Sequence, residues 1–97
     1  MPWVLVRHRI DDYQKWRPIF DGAGALLERS GARSGFVFRN LEAPDELFVL
    51  LEWPVLDAAR DFMASAALRK EMARAGVAEP PHVWYLDELE PPALTGR

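Results

Sequence analysis

The sequence has 97 residues, 49% of them hydrophobic and 28% charged, and contains no cysteine. That is chain enough for one domain, with apolar side chains enough to offset the entropy of ordering it, and it excludes disulfides, thiolate metal sites and a cysteine nucleophile. A formal charge of −3 with no block of like charges argues against nucleic acid as a partner.

The chain enters a short strand-like segment directly after Met1, which is no signal peptide. No apolar run approaches the ~20 residues needed to span a bilayer, so no membrane is expected and a cytoplasmic location is the default. Trp3 to Arg9 is β-branched and compact, and reads as a first strand. Asp11 then offers an N-cap with Gln14 as its capping-box partner. Tyr13, Trp16, Phe20, Ala23 and Leu27 recur at helical spacing, which predicts an amphipathic helix from Asp12 to about Ser30. Pro18 is expected to kink that helix or start a second segment, and Gly31 suits its end.

Arg33 to Leu41 reads as a second strand. Turn chemistry over Glu42 to Asp45 then leads into a third, Glu46 to Trp53, the pair forming a hairpin. Beyond Pro54, Asp57 is the expected cap of a helix bearing Ala58, Ala59, Phe62 and Met63. Ser65 restarts a second helical piece with Leu68 and Met72 inward, and Gly76 stops it. Past Pro80 and Pro81, His82 to Leu89 reads as a last strand. The expectation is one domain over residues 1–90 and a loose tail over 91–97.

The fold class is therefore α+β, in the ferredoxin-like order β-α-β-β-α-β. A four-stranded antiparallel sheet carries two helical regions on one face. Clean alternation is expected if the other face were solvated, yet both faces read as apolar. Leu47, Val49, Leu51 and Trp53 oppose Phe48 and Leu50, while Val4 and Val6 oppose Trp3 and Leu5. Phe36 and Phe38 likewise oppose Val37. A second copy of the same sheet is the economical cover, which predicts a homodimer through the open sheet face. Arg7, His8, Arg39, Glu52 and Tyr85 interrupt these apolar faces, as in a pocket for a small apolar or aromatic ligand enclosed between the two sheets of the dimer.

The run from Arg7 to Trp16, with Phe20-Asp21, Glu52-Trp53 and the stop at Ala75-Gly76-Val77, resembles the dimeric α-β barrel superfamily. Within it, the chain is most similar to small bacterial proteins grouped with the antibiotic biosynthesis monooxygenases. The resemblance spans roughly residues 3–90 and implies a barrel closed by two sheets, with no cofactor. Its members include cofactor-independent oxygenases of polycyclic phenols, haem-degrading enzymes, lactone isomerases and small cyclases. Haem degradation calls for an axial histidine on the second helix, and Asp57 to Ala75 contains none. Removal of Met1 would expose the amine of Pro2, the base of the tautomerase superfamily, but the pattern after the first strand does not resemble it.

On this reading the expected catalytic residues are His8, as a proton acceptor, and Arg7, as a cation for a developing oxyanion. Arg39, Glu52, Trp53 and Tyr85 are the expected substrate-binding residues. Each has a structural alternative: His8 at a strand or helix end, either arginine paired with Glu52, and Trp53 filling an interface. The two histidines have no carboxylates at metal-ligand spacing, so no metal is expected. The functional expectation is a small-molecule-binding barrel, a cofactor-independent monooxygenase or isomerase acting on an aromatic or polyketide-like substrate. A non-catalytic ligand-binding or assembly module is the alternative.

Overall fold

The computed structural model describes residues 1–94. Its elements are β1 (Pro2–Arg9), α1 (Tyr13–Gly22), α2 (Gly24–Ser30), β2 (Ser34–Asn40), β3 (Ala43–Glu52), α3 (Leu56–Met63), α4 (Ala66–Arg74) and β4 (His82–Asp87). The strands form one antiparallel sheet in the order β2-β3-β1-β4. This is the expected α+β ferredoxin-like arrangement, with each helical region divided into two short helices. No helix among the described residues is long and apolar enough to cross a membrane.

Sheet register assigns the faces. Val4, Val6 and His8 on β1 and Leu47, Val49 and Leu51 on β3 are buried, and they pack with Trp16, Ala59, Phe62 and Ala75 from the helices. Trp3, Leu5 and Arg7 point the other way, beside Glu52, Leu50 and Phe48 of β3. Phe36 and Phe38 of β2 join that open face and are about half exposed, at 51% and 52%. The helices cover one face only, so the second apolar face read from the strands is uncovered in a single chain.

Five local expectations are corrected. The α1 cap is Asp12, not Asp11: Asp12 is extended, and its Oδ1 accepts from the Gln14 amide at 2.9 Å. Asp11 instead lies against Gly76, where α4 ends, and its amide donates to the Gly76 carbonyl. The helix breaks at Ala23 and not at Pro18. Pro18 removes one donor yet α1 continues past it, because Trp16 and Phe20 on either side anchor that stretch to the core. Gly22 and Gly24, both poor helix formers, flank the break. The Ala23 amide there is shared between the Ile19 and Phe20 carbonyls.

The hairpin turns at Leu41-Glu42, and β3 begins at Ala43. The signal is Asn40, whose Oδ1 accepts from the Glu42 amide at 2.9 Å. Pro44 is tolerated in β3 because pairing with β2 ends at Asn40–Ala43, so its missing N–H leaves no gap in that ladder. Asp57 lies in the first turn of α3, where its charge suits the helix dipole, but Val55 holds the cap position. Ser65 does cap α4, its Oγ accepting from the Leu68 amide. The last strand ends at Asp87, earlier than Leu89. Of the expected tail, residues 95–97 lie outside the described residues.

Candidate functional site

Between the sheet and the helices the core is not filled. A cavity lies there, walled by Val6, Val49 and Leu51 from the sheet and by Trp16, Phe62, Leu68 and Met72 from the helices. Its volume is about 70 Å³. Among the described residues, the titratable side chains on its wall are His8 and Glu71. The short helices explain the space: α1 turns into α2 at Ala23, and α3 into α4 at Ala64-Ser65, so no helix runs continuously over the sheet centre.

β1 positions His8 through alternation: it follows Val4 and Val6 on the covered face and is 6% exposed. Among the described residues, neither Nδ1 nor Nε2 has a hydrogen-bond partner. Its neighbour is Trp16, with ring centroids 5.6 Å apart, and Trp16 stacks on Phe20 at 4.7 Å. Burial disfavours the charged imidazolium and lowers the His8 pKa from 6.5 to about 4. His8 is therefore a neutral imidazole with a free donor and a free acceptor in an apolar chamber. Buried polar groups are ordinarily paired; both His8 nitrogens are closed off from solvent, so a hydroxyl or carbonyl reaches them only when the surrounding side chains shift.

No family model matches the sequence, and no curated protein matches it. Solved structures do. A Bordetella bronchiseptica protein described as a candidate antibiotic biosynthesis monooxygenase superposes with TM-score 0.77 at 20% identity, over 92% of this chain and 97% of its own. SnoaB, a cofactor-independent oxygenase from Streptomyces nogalater, gives 0.75 at 12% identity over 96% and 97%. A third candidate monooxygenase, from Caulobacter crescentus CB15, gives 0.73 at 17% over 92% and 90%.

The fold is that of the antibiotic biosynthesis monooxygenase-like structures. The residues expected from sequence to form a site on this monooxygenase-like fold are not gathered in one place. His8 lines the cavity, and Arg7, its neighbour in β1, projects from the opposite face. There the Arg7 Nε is 3.7 Å from a carboxylate oxygen of Glu46. Glu46 is itself buried and accepts a 2.8 Å bond from Asn40. Arg39 lies at the β2 edge, its guanidinium 4.6 Å from the centre of the Tyr13 ring. Glu52 is on the open face, accepting from the Ser34 hydroxyl at 3.0 Å. Trp53 is fully buried against Phe62, its Nε1 donating to the Ser30 hydroxyl at 3.2 Å. Tyr85, by register with Val4, is on the covered side under Arg60. None of these five lines the cavity with His8.

Glu71 was missed in the sequence reading. The signal was present: Glu71 follows Leu68 by three residues and precedes Ala75 by four, so it shares the inward stripe of α4. Glu46 was missed too, because a carboxylate among turn residues reads as solvated; its burial follows from pairing with Asn40 and Arg7.

Proposed function

We propose that this chain is a small-molecule-binding protein of the monooxygenase-like fold, with its ligand in the cavity beneath the helices and His8 as the contact that fixes it. The observation carrying this reading is the orphaned His8 imidazole at the wall of an otherwise apolar chamber. Its apolar walls and single polar contact suit an aromatic or polyketide-like ring system bearing a hydroxyl or carbonyl, admitted when the short helices move apart. In the catalytic form of the proposal, the neutral imidazole accepts a phenolic or α-carbonyl proton. The carbanion or phenolate so formed reacts with dioxygen or rearranges. SnoaB, described as a cofactor-independent oxygenase, lends this form support by analogy of fold.

The depressed basicity of His8 bears on that chemistry. An imidazole with a pKa of about 4 is a weak base at neutral pH. Proton transfer from the ligand leaves an oxyanion beside the imidazolium, and that pairing raises the His8 pKa within the complex. Without such a substrate the same geometry favours a second reading, a binding module that holds a hydroxylated ligand unchanged. In both readings the protein is a homodimer through the open sheet face, since Phe36, Phe38, Trp84 and Leu86 are exposed there together.

Oxygen uptake with a hydroxyanthrone probe separates the two. The catalytic reading predicts uptake by the wild-type protein and its loss in His8→Ala with the fold intact by circular dichroism. Binding of the probe without uptake leaves the binding module; uptake unchanged in His8→Ala removes His8 from the chemistry.

A further inference from the structure

The chamber beneath the helices has a volume of about 70 Å³, and about 10–15 Å³ suffices for one water molecule. Size therefore does not exclude water, but the wall does. A buried water needs roughly two to four polar partners, and the titratable side chains of the wall have none to give. Both nitrogens of His8 are closed off. Both oxygens of the Glu71 carboxylate are held by the Arg74 Nη1, at 2.8 and 3.0 Å. What faces the space instead is polarisable: the rings of Trp16, Phe20 and Phe62 and the thioethers of Met63 and Met72. Such a wall attracts a guest through dispersion. Size then limits the guest. An apolar cavity of about 150 Å³ takes up benzene, and this one is less than half as large, which leaves room for a diatomic molecule and not for a ring.

We propose that the chamber as it stands is a binding site for dioxygen. Dioxygen is uncharged, needs no hydrogen bond and dissolves better in hydrocarbon than in water, so its transfer into this space is favourable. Among apolar diatomic gases it is the one that the catalytic reading consumes. The inference deepens that reading: it gives the second substrate a place against the wall that carries His8, before the helices part to admit the ring. The short side chains Ala23 and Ala75 on the wall leave the space open, so side-chain volume, not charge, controls the site.

Dioxygen is paramagnetic and speeds the relaxation of nuclei near it, with a steep dependence on distance. The test is methyl NMR of the isotope-labelled protein under oxygen pressure, with argon at the same pressure as the blank. The methyl groups of Val6 and Val49, on the chamber wall, are expected to show a several-fold larger oxygen effect than those of Val4 and Leu47, which are as deeply buried but off the wall. Ala75→Leu fills the space and is expected to remove the excess at Val6. Val49→Ile, a smaller filling, is expected to reduce it and serves where the leucine variant does not fold. An equal effect at all four residues overturns the inference, as does an excess at Val6 undiminished in a folded, filled variant. Oxygen uptake with the hydroxyanthrone probe separates the site from the reading beneath it. Uptake without the excess removes the dioxygen site and leaves the catalytic reading; the excess without uptake keeps the site and removes the catalysis.

Discussion

Replacing His8 with leucine is expected to stabilise the protein while removing its ligand contact. In the wild-type fold the imidazole is buried with neither nitrogen bonded to any described residue. An unsatisfied buried polar group costs about 1–3 kcal/mol, and an apolar side chain of similar size avoids that cost. Urea unfolding at pH 7 should therefore show His8→Leu more stable by roughly that amount. The gap should widen in acid. Burial holds the His8 pKa at about 4 in the folded chain against 6.5 ordinarily, so the unfolded chain binds the extra proton between those values. A histidine with a lowered folded pKa contributes least below it: its contribution is whole above about pH 6.5, falls with pH, and is lost below about 4. That amounts to about 3 kcal/mol in all, of which about 2 kcal/mol is gone by pH 5. The leucine variant lacks this acid limb. A variant less stable than wild type at pH 7, with a difference that does not change at pH 5, would refute the reasoning and mean that His8 has a partner in the fold.

Three other outcomes follow from the packing. Gly76→Ala is expected to lose about 2–3 kcal/mol, roughly 10 °C or more in Tm, because φ at Gly76 is +79° and a Cβ there would run into the Asp11 carboxylate; thermal unfolding measures it. Trp53→Ala, at a fully buried position against Phe62, is expected to cost about 3–5 kcal/mol in urea unfolding, whereas Trp53→Phe, which loses mainly the bond to Ser30, should cost under half of that. Phe38→Glu on the open sheet face is expected to convert a dimer to a monomer in sedimentation velocity, with the circular dichroism spectrum retained; an unchanged dimer would move the interface elsewhere.

The order of elements along the chain was legible, and so was the division of β1 and β3 into two faces, because alternation carries the burial pattern directly; which face the helices cover was not. Val4 and Val6 against Trp3 and Leu5, and Leu47, Val49 and Leu51 against Phe48 and Leu50, divide in the structure as they do in the sequence. The site was less legible. His8 was identifiable from its type and its face, but its companions were sought on the sheet, where polar residues interrupt apolar runs. Those interruptions have local causes: Arg7 meets Glu46, Glu52 meets Ser34, and Arg39 covers Tyr13. The cavity owes its existence to the breaks at Ala23 and Ala64-Ser65. A break between two short helices leaves space that periodicity, which records only which side chains face inward, does not encode. Glu71 joins the cavity wall only once α4 is packed against α1.

The most direct test of the ligand site is the imidazole resonances of the two histidines, His8 and His82, followed by nitrogen-detected NMR while 2-naphthol is added. Binding beneath the helices predicts that the His8 ring signals shift and saturate while those of His82, stacked on Trp84 at the open face, stay in place. Shifts confined to His82, with His8 unmoved at saturation, would contradict the account and relocate the ligand to the exposed face of the sheet.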